Sequence, residues 1–264
     1  TAGLTSITSA AFSMNLDTMG AITVSQGSGS AVSAIDDITP SAYEESWDSV
    51  DQGLNLVGGV SSGTVLVYTL PALPMGTTVK VAYNPDPGAA KSADGGAAAG
   101  TNSYGAGMDM SIATSLGVDG LTLGAGYAEI EVLDGKTNSS TYSGDIDEMV
   151  GYIKYATGPV TFGYFQSYES TGERAAASVE AYESNGFGIS FAVNDNMSIS
   201  YAEVENEKDF NSTTANVTME TEGIGFSYNL GGASLLIQHN ELNRSWASAT
   251  ASDENTEVRL KMAF

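Results

Sequence analysis

The 264-residue chain has no cysteine, one histidine and six prolines, and only nine of its side chains are Lys or Arg. The missing cysteines exclude a disulfide framework and a thiolate metal site, and leave the redox compartment unreadable from thiols. Against nine basic residues stand 32 acidic ones, so the net charge of −23 repels nucleic acid and anionic headgroups and gathers cations. A nucleic-acid partner is excluded. The lone histidine, His239, leaves a Ser-His-Asp triad one candidate base, and no nucleophile motif lies near it. No apolar run approaches the roughly 18 residues of a transmembrane helix, which rules out a helical bundle in lipid. Yet 42% of the residues are hydrophobic, evenly spread, too many for a disordered chain. The length suits one large domain over 1–264. Thr1 is not an initiator Met and no basic-then-apolar leader follows it, so a processed or cut sequence is expected.

What is present is short-period alternation over nearly the whole length. Phe187, Ile189, Phe191 and Val193 alternate with Gly188, Ser190 and Ala192, and Met197, Ile199 and Tyr201 alternate with Ser198 and Ser200. Between them lies only Asn194-Asp195-Asn196, a tight turn. Ile224, Phe226, Tyr228 and Leu230 repeat the pattern before the Gly231-Gly232 turn and a run to Asn240. The pattern predicts about thirteen strands, near 4–14, 19–26, 63–70, 77–84, 103–114, 120–132, 147–157, 159–169, 181–193, 196–205, 215–230, 233–242 and 255–264. Short turns alternate strictly with long Gly-, Ser-, Asn- and Asp-rich connections such as 84–102, 134–145 and 242–254. One trimmed end and one elaborated end are the pattern of an antiparallel up-and-down barrel in an outer membrane.

The last strand sets the faces. Val258, Leu260, Met262 and Phe264 point one way and Glu257, Arg259, Lys261 and Ala263 the other, as expected of a wall between lipid and water. On the apolar face, Tyr68, Tyr155, Phe162, Phe191, Tyr228 and Phe264 fall beside short turns, and Tyr83, Tyr104 and Tyr168 beside long connections, which predicts two aromatic girdles. A soluble acidic β-sandwich or solenoid would make these residues a core, but no fixed repeat period is visible.

Residues 27–62 break the alternation. Their apolar positions Val32, Ile35, Ile38, Tyr43, Trp47 and Val50 argue for packing, and Pro40 with Glu44 and Glu45 suits a short helical turn. Folded into a barrel, this loop would set Asp36, Asp37, Glu44, Glu45, Asp48 and Asp51 against the wall; the alternative is a solvated surface loop. By strand phase Lys80, Lys154, Arg259 and Lys261 face the lumen, so an acidic loop opposite them would create a transverse field across a narrow pore.

With these residues in view, the chain resembles a trimeric general porin of the Gram-negative outer membrane, of the alphaproteobacterial type. The closing run Glu257-Val-Arg-Leu-Lys-Met-Ala-Phe264 is similar to the family's last strand, and Ser33 to Asp48 resembles the loop after the fifth strand that folds into the pore. Gly225 to Ala233 looks like the penultimate hairpin. The resemblance implies a 16-stranded barrel, a homotrimer, engagement of the barrel-assembly machinery through Phe264, and contact with outer-membrane lipid. An odd count of thirteen, and a pore loop after the second strand, would then leave about three N-terminal strands outside this sequence.

Catalysis has little support: Gly124-Ala-Gly126 lacks the third glycine and the helix of a nucleotide fingerprint. Asp145-Ile-Asp147-Glu148 carries oxygen-ligand chemistry for Ca²⁺ without the spacing of an EF-hand, and no other cofactor is expected. The expected function is a passive, cation-preferring diffusion channel for small hydrophilic solutes. An outer-membrane receptor or adhesin is the alternative, with Trp246 the one conspicuous aromatic in an external loop.

Overall fold

In the computed structural model, residues 10–26, 30–35, 38–50, 54–61, 63–85, 104–132, 144–172, 178–211, 214–244 and 252–262 are described. Thirteen strands form one sheet in chain order, every neighbouring pair antiparallel. They are β1 (Ala10–Asn15), β2 (Ala21–Gln26), β3 (Thr64–Thr69), β4 (Thr78–Asn84), β5 (Tyr104–Thr114), β6 (Leu121–Val132) and β7 (Ile146–Thr157). β8 (Val160–Ser170), β9 (Val179–Asn194), β10 (Met197–Phe210), β11 (Val217–Asn229), β12 (Ala233–Asn243) and β13 (Asp253–Met262) complete it. This is an up-and-down meander in which hairpins at one end turn within a few residues: β9 passes to β10 through Asp195-Asn196 alone. Among the described residues β1 and β13 do not pair with each other. The strand predicted over 196–205 runs on to Phe210, because its polar upper half keeps pairing with β9 and β11.

Residues 30–35, 38–50 and 54–61 lie against one face of the sheet, which makes that face the interior. Val32, Ile35, Ile38, Trp47, Leu54, Leu56 and Val57 from this segment bury against Ala128, Val150, Phe165, Val204, Met219 and Leu242 of the wall. Each such aliphatic side chain contributes about 1.5–3 kcal/mol on full burial, so the loop seats itself hydrophobically. A second cluster of Ala31, Val60, Val65, Ala82, Ile130 and Ile146 closes its neck. The helical turn expected after Pro40 sits earlier, at Ser33–Ile35, with a hydrogen-bonded turn at Glu45–Asp48. Pro40 is instead packed against the glycines of β8 and β9.

The opposite face is apolar and unpartnered, as a lipid-facing wall requires. Phe12, Met110, Ile189, Ile199, Ile224 and Leu260 are among its exposed side chains. Tyr68, Tyr155, Phe162, Phe191 and Tyr228 stand on it near the short turns, and Tyr83 and Tyr168 near the other end. Phe264 lies outside the described residues, as does the side chain of Tyr104.

Two further tyrosines mark the upper edge of the belt. The Tyr127 hydroxyl donates to Asp147 at 2.6 Å and Glu129 at 3.1 Å, and that of Tyr201 to Glu203 at 3.1 Å. An amphipathic ring with its hydroxyl on a carboxylate suits a boundary between hydrocarbon and water. Above this edge the outer wall turns acidic: Glu203, Glu222, Glu241 and Glu254 oppose one another in register across β10 to β13.

Candidate pore and constriction loop

The loop needs room to lie flat on the wall, and inward-facing glycines provide it. A Cβ on Gly163 would fall 2.6 Å from the Ile38 carbonyl oxygen, and one on Gly223 would fall 2.7 Å from the Ser46 Cα. Both distances are to backbone, so nothing larger than glycine is tolerated without displacing the loop.

Polar wall side chains hold the loop's backbone in place. Asp109 of β5, 2% exposed, accepts hydrogen bonds from the N–H groups of Ala31 at 3.1 Å, Val32 at 3.3 Å and Val60 at 3.0 Å. One carboxylate thus ties the entering and leaving chains of the loop together. The Asn84 amide donates to the Val60 carbonyl at 3.0 Å beside it. Glu148 of β7 accepts from the Gly58 and Gly59 N–H groups at 3.0 and 2.6 Å, and Glu169 of β8 from the Asn55 side-chain amide at 2.9 Å. Asn206 of β10 accepts from the Asn55 N–H at 3.1 Å and donates to its carbonyl at 3.2 Å. Further round, Ser200 accepts from the Ala42 N–H at 2.8 Å, and Ser46 bonds Thr221 at 3.1 Å. Buried loop backbone needs partners, and these side chains supply them across the lumen wall.

The loop's charged turn reaches β13. Arg259 lies 2.6 Å from Glu257 on its own strand and 3.7 Å from Glu44 of the loop. The Tyr43 hydroxyl donates to Glu257 at 2.6 Å, while its ring faces Arg259 at 5.3 Å and Lys261 at 5.9 Å. Burial, the hydrogen bond to Glu257 and the neighbouring Glu44 push the Tyr43 hydroxyl's pKa up, so the phenol stays neutral. Within the turn, the Glu45 N–H donates to the Asp48 carboxylate at 3.1 Å.

Of the residues expected at the site, Glu44, Arg259 and Lys261 therefore meet around Tyr43, with Glu45 and Asp48 in the adjoining turn. Lys80 on β4 and Lys154 on β7 occupy inward positions, but among the described residues neither forms an ion pair with the loop. Asp36, Asp37 and Asp51 lie outside the described residues. Asp147 and Glu148, read together as oxygen ligands, point to opposite faces: Asp147 accepts from Tyr127 outside and Glu148 from the loop inside. Alternation along the strand separates these two, while Asp145, the third carboxylate of the run, accepts from the Val132 N–H at 2.9 Å.

The tethering residues Asp109, Glu169 and Asn206 carry no site expectation from the sequence, and Glu148 carries one only as an oxygen ligand for Ca²⁺. The available signal is a carboxylate or amide at an inward position of a strand whose neighbouring inward positions are small or aliphatic, as in Gly107-Met-Asp109 and Ala202-Glu-Val-Glu-Asn206.

A wall with an apolar, tyrosine-edged exterior and a polar interior crossed by a tethered loop defines a membrane-spanning β-barrel channel. The sequence profile of the Gram-negative porin family matches residues 12–245. The chain belongs to that family and is an outer-membrane porin. Among solved structures, a porin refined at 1.8 Å shares 18% identity over 94% of this chain and 79% of its own, with a TM-score of 0.62. The outer-membrane channel DcaP of Acinetobacter baumannii shares 12% over 92% of this chain and 72% of its own, TM-score 0.57. OmpT of Vibrio cholerae shares 11% over 89% and 77%, TM-score 0.57. These likenesses bear on the fold. No curated protein sequence matches the chain significantly.

Proposed function

We propose that the protein is a passive diffusion channel for small hydrophilic solutes and ions whose loop 27–62 forms the constriction, with a preference for cations and no catalytic role. The observation that carries this reading is the Glu44–Arg259 approach of 3.7 Å, which sets an acidic turn against a basic strand within the lumen. Opposite charges side by side on the border of a narrow lumen give a local field that orients dipolar solutes and hinders bulky apolar ones.

The cation preference rests on Glu44, Glu45 and Asp48 rather than on the net charge of −23. Part of that charge stands on the outer wall, in Glu203, Glu222, Glu241 and Glu254, and Asp109, Glu148 and Glu169 are occupied with the loop. With Lys80, Lys154, Arg259 and Lys261 on the wall, the preference is modest. Assembly as a homotrimer, and recognition of the strand ending in Phe264 by the barrel-assembly machinery, belong to the same reading.

The test is single-channel recording of the purified protein in planar bilayers, with reversal potentials under a KCl gradient. Stepwise conductance with a cation-selective potential is expected, reduced in Glu44→Gln/Glu45→Gln. A double variant with unchanged selectivity and conductance would place the turn away from the ion path and favour the surface-receptor reading.

A further inference from the structure

The acidic turn sits at the far end of the loop from Asp109, and Asn240 of β12 secures it. Asn240 is 2% exposed and donates its side-chain N–H groups to the carbonyls of Glu45 at 2.9 Å and Asp48 at 2.8 Å. Its own oxygen accepts from the Gln238 amide at 2.7 Å, which fixes which way the Asn240 amide points. The two accepting carbonyls are the first and last of a turn already closed by the Asp48 N–H donating to the Glu45 carbonyl at 3.3 Å. A turn held at both ends keeps one orientation relative to the wall. Asparagine suits the position: aspartate has no donor, and leucine matches the volume with neither donor nor acceptor.

We propose that Asn240 is a specificity-determining positioning residue: by clamping the Glu45–Asp48 turn it holds Glu44 against Arg259, and so sets the ion preference of the pore without touching the solute. The proposal rests on the constriction reading above. Its leverage comes from the geometry at Glu44, whose 3.7 Å distance to Arg259 is near the outer limit of an ion pair. A turn that swings by about 1 Å carries Glu44 beyond the roughly 4 Å limit of a contact ion pair with Arg259.

The experiment measures K⁺/Cl⁻ permeability ratios from reversal potentials for the wild type, Asn240→Leu, Asn240→Ala, Glu44→Gln and Glu44→Gln/Asn240→Leu. Folding of each is checked by heat-modifiable migration in SDS gels. Displacing one carboxylate from a narrow aqueous pore changes the ratio by about two- to fivefold, so Asn240→Leu should lower it by that factor. The double variant should then fall no lower than Glu44→Gln alone. That non-additivity is the readout which loosened packing would not produce. Asn240→Ala, which leaves room for water, decides the matter if Asn240→Leu fails to fold. Wild-type selectivity in the folded Asn240 variants, alongside a shifted Glu44→Gln, overturns this inference and spares the constriction reading. Additive effects in the double variant also overturn it. An unshifted Glu44→Gln overturns both.

Discussion

Replacing Asp109 by alanine removes the acceptor shared by the two chains of the loop's neck. Three N–H groups, of Ala31, Val32 and Val60, lose their partner at once. Each buried donor left unsatisfied costs about 1–3 kcal/mol, so the neck is weakened by roughly 3–9 kcal/mol before any relaxation. Ala31, Val32 and Val60 are all 0% exposed, so water reaches these groups only if the neck opens. The barrel loses no strand pairing, because Asp109 acts through its side chain. The loop therefore loosens while the wall persists. Asp109→Asn gives an ordered intermediate: its one oxygen serves either Ala31 and Val32 or Val60, and its amino group opposes the remaining N–H. Limited proteolysis of the folded barrel should show cleavage within 30–61 in the order Ala, then Asn, then wild type, and open-channel current noise should rise in the same order. An Asp109→Ala channel with wild-type noise and a protease-resistant loop would refute the idea that this carboxylate holds the neck.

Gly163→Val should expel the Ile38–Pro40 stretch and raise single-channel conductance, whereas unchanged conductance would mean that the loop does not rest there. Glu222→Gln relieves like charges opposite Glu203 and Glu241 on neighbouring strands and should raise barrel stability by about 0.2–1 kcal/mol in a thermal melt at low salt. Added salt should shrink that gain, since exposed charges are screened; a stability that falls on neutralisation would contradict the repulsion. Tyr43→Phe keeps the ring beside Arg259 and Lys261 but loses the 2.6 Å bond to Glu257, so a loss of about 0.5–1.5 kcal/mol in loop stability is expected by hydrogen exchange.

Strands, faces and the order of the sheet were legible in the sequence because they depend on a period of two, a property of neighbouring residues. Phe187 to Val193 and Val258 to Met262 announce their outward face without reference to any other segment. The burial of Val32, Ile35, Ile38 and Trp47 was legible too, since apolar side chains on a long loop require a surface. Where that surface lies was not legible. Asn240 is 195 residues from Glu45, and Asp109 is 77 from Val32, separations at which one chain carries no local signal of contact. Only the curled sheet brings β5, β7, β8, β10 and β12 around one loop and turns inward carboxylates and amides into its tethers. The net charge was likewise a property of composition, but its division between an acidic outer collar, the buried tethers and the few carboxylates of the turn was decided by strand register. A shift of one residue exchanges the two faces, and composition is blind to that exchange.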